Sequence, residues 1–162
     1  MLPSYRGEDF NYQYGNLDYK GKTVLDLGAE FGSTAAFFVR KGAKLVIAVE
    51  GSQKYLRNLR RNATILGNVI PVTVWITRPE TLSDLILRYR PEVAKVDCEG
   101  CEVHLFKVPD HVFSLIPEYI IETHSDKLLE QMVNKCNRNN YEIYHIIPWA
   151  PQVNIVFARQ IF

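Results

Sequence analysis

The sequence predicts an α/β fold, a mainly parallel sheet with helices on both faces. Three observations lead there. Short apolar, β-branched runs alternate with stretches whose apolar residues fall three and four apart, from Thr23 onward. Glycines stand at the junctions, as at Gly28, Gly42 and Gly67. The last connection, Pro148 to Val153, has no room for a crossover helix, so the final two strands are expected to be antiparallel. That places one reversed strand near the C-terminal end of the sheet.

The elements follow in order. Thr23 to Gly28 reads as a buried strand, and a helix opens at Gly32-Ser33-Thr34, with Ser33 and Thr34 as cap candidates and Gly42 as the stop. Lys44 to Glu50 is a second strand. The next helix carries Leu56, Leu59, Ala63 and Leu66 on one face and closes at Gly67. Val69 to Ile76 is a third strand that tolerates Pro71 near its start. Thr81 to Arg90 is helical, Val93 to Val96 and Tyr119 to Glu122 are strands, and Asp126 to Arg138 is an amphipathic helix. Glu142 to Ile147 and Asn154 to Phe157 close the sheet.

The chain has 162 residues, 47% hydrophobic and 23% charged, with a net charge of +1. That suits a single domain, 22–162, behind a polar, Tyr-rich lead-in, 1–21. The lead-in (Tyr5, Gly7, Tyr12, Tyr14, Gly15, Tyr19, Gly21) is expected to be a surface arm, with a lid or acceptor wall as the alternative. A net charge this small signals no global field for nucleic acid or membrane. No apolar run approaches the roughly 18 residues of a spanning helix, and the first eight residues lack a signal-peptide pattern. Three cysteines, an odd number, argue against a disulfide framework. Reduced thiols and a cytoplasmic location are the expectation.

The strongest local motif is Asp26-Leu27-Gly28-Ala29-Glu30-Phe31-Gly32. In such folds ligands bind beyond the carboxyl ends of the strands. Gly28 and Gly32 permit a sharp turn and close backbone approach, and the helix behind them offers free N–H groups. Glu50, with Gly51 after it, ends the second strand about 20 residues on, where an acid accepts bonds from both hydroxyls of a ribose. Two features favour S-adenosylmethionine over a dinucleotide. The Gly-x-x-x-Gly spacing leaves a pyrophosphate cradle incomplete, and Asp26 repels a pyrophosphate but attracts a methionine ammonium. The candidate cofactor residues are therefore Asp26, Gly28, Ala29, Gly32, Glu50 and Gly51. A Gly-rich strand–helix turn with a satisfied Asp is the structural alternative.

With these residues in view, the chain resembles the FkbM-type methyltransferases, a branch of the Rossmann-like class I S-adenosylmethionine enzymes, from about Val24 to Phe157. Asp26-Leu27-Gly28-Ala29 with Gly32 is similar to the family's first motif, and Glu50 to its ribose-binding acid. Thr81-Leu82-Ser83-Asp84-Leu85-Ile86 resembles its Ser/Thr-Leu-Asp-Asp-Leu segment. Lys95-Val96-Asp97-Cys98-Glu99-Gly100-Cys101-Glu102 resembles its Lys-Ile-Asp-Val-Glu-Gly-Ala-Glu signature, and Ile121-Glu122-Thr123-His124 its fifth strand. The resemblance implies O-methylation of a small hydroxylated acceptor such as a sugar. Three departures stand out. Only Thr77 to Glu80 lies where the family carries a longer insertion. Cys98 and Cys101 replace an aliphatic and a small residue. Val74-Trp75-Ile76-Thr77 lacks the acid that often contacts adenine.

Asp97 and Glu99, two apart at a strand end, project the same way, and Glu122 and His124 repeat the spacing. These four are expected to converge beside the transferring methyl. A hydroxyl acceptor needs a base and in-line placement. Histidine, ordinarily titrating at about 6.5, suits that task. The candidate catalytic residues are Asp97, Glu99 and His124. The carboxylates could instead hold a divalent cation on the acceptor oxygen, or brace the loop by accepting backbone N–H bonds. Bracing is the reading preferred for Glu102. Cys98-x-x-Cys101-x-x-His104, with Cys136 or His124, resembles a zinc spacing, but one Cys pair is a weak signal. Both cysteines are read as small buried side chains, and no residue is assigned as a metal ligand. Lys54, Arg57, Arg60 and Arg61 line the polar side of one helix, which makes an RNA methyltransferase the alternative function. A cofactor-binding protein with little catalysis is a third.

Overall fold

The computed structural model describes residues 9–162, so Tyr5, Gly7 and the start of the lead-in lie outside the described residues. The elements in chain order are α1 (Phe10–Tyr14), β1 (Thr23–Leu27), α2 (Ser33–Arg40), β2 (Leu45–Glu50), α3 (Gln53–Leu66), β3 (Val69–Thr73), α4 (Pro79–Tyr89), β4 (Val93–Val96), α5 (Glu102–Leu105), α6 (Asp110–Phe113), β5 (Glu118–Thr123), α7 (Asp126–Arg138), β6 (Tyr141–Ala150) and β7 (Val153–Gln160). Seven strands form one sheet in the order β3-β2-β1-β4-β5-β7-β6. β1 with β2, β2 with β3 and β4 with β5 pair in parallel, while β7 runs antiparallel to both β5 and β6. The expected α/β plan with a reversed strand near the C-terminal end is therefore present. Among the described residues no helix is long and apolar enough to cross a membrane.

The chain divides into two compact units, one up to Trp75 and one from Ile76. In the first unit, β1 and β2 are near-continuous buried apolar runs, as strands covered on both faces require. The second half of the lead-in is no surface arm. Tyr14 and Tyr19 are buried, their rings pack against Phe37 and Phe38 of α2, and the Tyr19 hydroxyl donates to the Tyr14 carbonyl at 2.6 Å. Four aromatic rings gain more from mutual burial than from hydration. α1 itself is started by Asp9, whose carboxylate accepts from the N–H groups of Asn11 and Tyr12.

β6 and β7 both run past both of their expected ends, and two other boundaries moved for local reasons. β3 stops at Thr73 rather than Ile76, because its partner β2 ends at Glu50, which pairs with Thr73. α4 begins at Pro79, whose fixed φ and missing N–H suit the first helical position.

In the second unit, β4 and β5 are buried and β7 lies beside β5. A stacked pair, Phe113 on Tyr119 with centroids 4.4 Å apart, forms its aromatic centre with Tyr141. The Tyr141 hydroxyl donates to the carbonyls of Ile116 and Phe113. Buried Lys135 of α7 donates to the Val108 carbonyl at 2.6 Å and to Asp110, tying α7 to α6.

Candidate active site

In the first unit all six expected cofactor residues gather around the turns that follow β1 and β2. Gly28 takes φ +78° and Gly32 φ +94°, the left-handed region that favours glycine. A Cβ on Gly32 would stand 3.1 Å from Leu59 Cδ1, a second reason for glycine there. The N–H groups of Gly28 and Ala29 both donate to the Val49 carbonyl, at 3.1 and 3.0 Å, which sets the turn against the end of β2. Ser33 and Thr34 do not cap α2. Gly32 is its N-cap, and the Thr34 hydroxyl donates instead to Asp26 Oδ2 at 2.6 Å. Asp26 is fully buried, so it anchors the first turn of α2 from below.

Glu50 is buried, and both its oxygens are engaged: Oε2 accepts from Glu30 N at 2.9 Å and Oε1 from Ser52 N at 2.7 Å. Each carboxylate oxygen has a second lone pair, so this bracing leaves acceptor capacity for a ligand hydroxyl. Glu30 itself holds φ +47°, a strained setting for a residue with a Cβ. Asn62 escaped the sequence reading. Its amide donates to the Phe31 carbonyl at 2.6 Å and pins the loop to α3. The signal was a polar residue inside the Leu56–Leu59–Ala63 stripe. Gly51 lies under Trp75, where a Cβ would come within 2.5 Å of the indole.

In the second unit Asp97, Glu99, Glu122 and His124 come together. His124 Nε2 lies 3.5 Å from Glu122 Oε1 and 3.9 Å from Glu99 Oε2. Ligand atoms of Asp97, Glu122 and His124 fall within 4.8 Å of one another. Buried Lys95 reaches Asp97 Oδ2 at 3.6 Å and supplies compensating positive charge. Burial pushes the Glu122 carboxyl up to about 7, helped by the Asp97 charge and opposed by His124 and Lys95.

Glu102 is fully buried, accepts from Gly100 N at 2.8 Å and stands 3.4 Å from His124 Nδ1. It braces the loop and faces the imidazole from the other side. The loop itself is a left-handed turn, with Glu99 at φ +53° and Gly100 at φ +123°. That turn corrects the expectation of reduced thiols. It brings the Cα atoms of Cys98 and Cys101 to 5.5 Å, and the two form a disulfide. Their sulfurs are therefore not zinc ligands. Cys136 is the free, buried cysteine, with its thiol pushed up to about 12 by burial.

No family model matches the chain. Two curated relatives do, over 101 residues each. Uncharacterized protein 65 of Sulfolobus islandicus filamentous virus (isolate Iceland/Hveragerdi) is 32% identical over 60% of this chain and 58% of the relative. Uncharacterized protein 158B of Sulfolobus islandicus rod-shaped virus 1 is 30% identical over 60% of this chain and 59% of the relative. The matched region thus spans less than two thirds of either relative. Solved structures match more of the chain. A protein of the NADB-Rossmann superfamily from Streptococcus agalactiae superposes with a TM-score of 0.70 at 12% identity, covering 93% of this chain and 67% of that one. The precorrin-6y C5,15-methyltransferase of Geobacter metallireducens gives 0.65 at 17% identity, covering 90% and 83%. An S-adenosylmethionine dependent methyltransferase of Mesorhizobium loti gives 0.62 at 13% identity, covering 89% and 93%. The fold is the Rossmann-like fold of class I methyltransferases. At these identities the likeness is one of fold alone.

Proposed function

We propose that this protein is an S-adenosylmethionine-dependent O-methyltransferase of a small hydroxylated acceptor such as a sugar, as the FkbM-type resemblance implies. The observation that carries the reading is the pairing of two features on one chain. A glycine turn braced by Glu50 occupies the first unit, and a carboxylate–imidazole cluster around His124 occupies the second.

The residues of the first unit fit the cofactor. Positive φ at Gly28 and Gly32 bends the turn with no Cβ at those two positions, and Glu50 keeps lone pairs for ribose hydroxyls. Asp26, Ala29 and Gly51 complete that half. Bound S-adenosylmethionine would supply an electrophilic methyl on a sulfonium, with the neutral thioether S-adenosylhomocysteine as the leaving group. In the second unit His124 would take the acceptor hydroxyl's proton, and Asp97 and Glu99 would orient the acceptor. One observation favours a second version of this step. Asp97, Glu122 and His124 offer two oxygens and a nitrogen at spacings suited to a divalent cation, which would polarise the acceptor oxygen.

Calorimetry with S-adenosylmethionine and methyl transfer from labelled cofactor to sugars and glycosides test the reading. Glu50→Ala is expected to weaken cofactor binding by about 1.5–3 kcal/mol, the value of hydrogen bonds to a charged group. Glu50→Gln keeps an acceptor for one of the two loop N–H groups and sets an NH2 against the other, so thermal melts of both variants without ligand separate loss of loop bracing from loss of ligand binding. His124→Ala is expected to cost about 10²–10⁴-fold in turnover with cofactor affinity retained. Loss of activity on chelation, restored by metal, selects the cation version. Normal turnover in Asp97→Ala, Glu99→Ala and His124→Ala without added metal would remove the cluster from the chemistry.

A further inference from the structure

The net charge of +1 conceals an asymmetry between the two units. Residues 1–75 carry ten Lys and Arg against six Asp and Glu, while residues 76–162 carry nine against twelve. Burial sharpens the contrast. Of the first unit's acids, Asp26 and Glu50 are buried, whereas Lys20, Arg40, Lys41, Lys44 and the four cations of α3 are exposed. Charge asymmetry between the halves of a chain directs attention to the cationic half as a face for an anionic partner.

α3 concentrates the effect. Its 14 residues include Lys54, Arg57, Arg60 and Arg61 and no carboxylate. A solvated helix face that served only solubility would ordinarily interleave both signs at i, i+4 spacing. Lys54, Arg57 and Arg61 form one stripe spanning about 10 Å, two helical turns. Arg60 leans the other way, its guanidinium donating to Thr73 Oγ1 at 3.3 Å on β3, which is the edge strand of the sheet. Just past that strand, at the N-terminal end of α3, the Trp75 ring covers Gly51 and is 67% exposed. A tryptophan left that far in water beside a row of cations is a poor core residue and a good platform for a nucleobase.

We infer that the α3 face with Trp75 is a binding surface for single-stranded nucleic acid, the cations holding phosphates and Trp75 stacking a base. The binding claim itself is independent of any catalysis.

The test is fluorescence anisotropy of labelled oligo(U) and oligo(dT) with the full chain, without cofactor, across a salt series. Binding is expected for oligo(U), falling with salt with a log–log slope of about −2 to −3, as three or four phosphate contacts on a single strand dictate. The Arg57→Gln, Arg61→Gln double variant is expected to flatten that slope by about 1.4. Trp75→Ala is expected to weaken binding about 5- to 150-fold. Lys127→Gln with Arg138→Gln, two cations of the second unit, is the control and leaves binding unchanged. Circular dichroism melts of each variant exclude unfolding as the cause. Equal affinity for oligo(dT) shows a surface reading phosphate and base alone; preference for oligo(U) shows that it also senses the ribose. No binding at low salt, an unchanged slope in the α3 variant, or an equal loss in the control would overturn the assignment. If Trp75→Ala weakens S-adenosylmethionine binding but not oligo(U) binding, the stacking role is wrong. Because anisotropy is read without cofactor, failure here leaves the methyltransferase reading standing, and failure of methyl transfer leaves this surface standing.

Discussion

A carboxylate held above its ordinary range is the most consequential single residue in the second unit. Glu122 is raised to about 7, first by burial and then by the Asp97 charge. The native state therefore holds a proton that the unfolded chain, titrating at about 4.3, has already released. Between those values the native state binds more protons, so this group's contribution to stability falls as pH rises and then levels off above about 7. Glu122→Gln removes that penalty. Urea unfolding of both proteins is expected to show the variant gaining on wild type from pH 5 to pH 8. A pH-independent difference would mean that Glu122 ionises in the native state as freely as in water. Glu50 is the counterpart in the first unit, a buried acid whose charge is met by two backbone N–H groups rather than a cation.

At the scale of elements, the turn between β4 and α5 decides the geometry around His124. Positive φ at Glu99 and Gly100, the Glu102 carboxylate and the Cys98–Cys101 disulfide all hold one short segment. A disulfide closing so small a ring removes little chain entropy, about 2 kcal/mol in the loop-closure model. The Cys98→Ala, Cys101→Ala protein is therefore expected to fold, with a melting temperature lower by roughly 4–8 °C. Alkylation under denaturing conditions gives a direct check on the bond. One modified cysteine, Cys136, is expected before reduction and three after it. Three modified cysteines without reductant would show the pair to be thiols. The same segment explains a partial success of sequence reading. Alternate spacing grouped Asp97, Glu99, Glu122 and His124, and the four lie near one another, although β4 ends at Val96 and Glu99 reaches His124 from the turn beyond it. Spacing could not show the turn that closes the disulfide, because φ is a property of the folded backbone.

For the molecule as a whole, ligand linkage offers the simplest check. A ligand that binds only the native state at 100 times its dissociation constant adds about 2.7 kcal/mol. For a domain of this size that is a rise of about 5–10 °C in melting temperature. S-adenosylmethionine is expected to produce such a rise in wild type and a smaller one in Glu50→Ala. An equal rise in both proteins would place the cofactor elsewhere. Charge also belongs to this scale. Counting all residues together gives +1 and hides a cationic first unit and an anionic second one. Only the division of the chain into units, with burial of Asp26 and Glu50, brings that difference to the surface.

Legible in the sequence were the alternation of elements, the reversed C-terminal strand, Gly28 and Glu50 at strand ends, and Gly32 at the start of α2. These follow from periodicity, from the φ values only glycine takes easily, and from connections too short to cross over. Tertiary structure decided the rest. It turned Thr34 from a cap into a partner of Asp26, folded Tyr14 and Tyr19 onto Phe37 and Phe38, set Asn62 against the loop, and laid Trp75 over Gly51. Each is a contact between residues whose pairing no local period encodes. Its energy comes from burial and hydrogen bonding that exist only once the elements have packed.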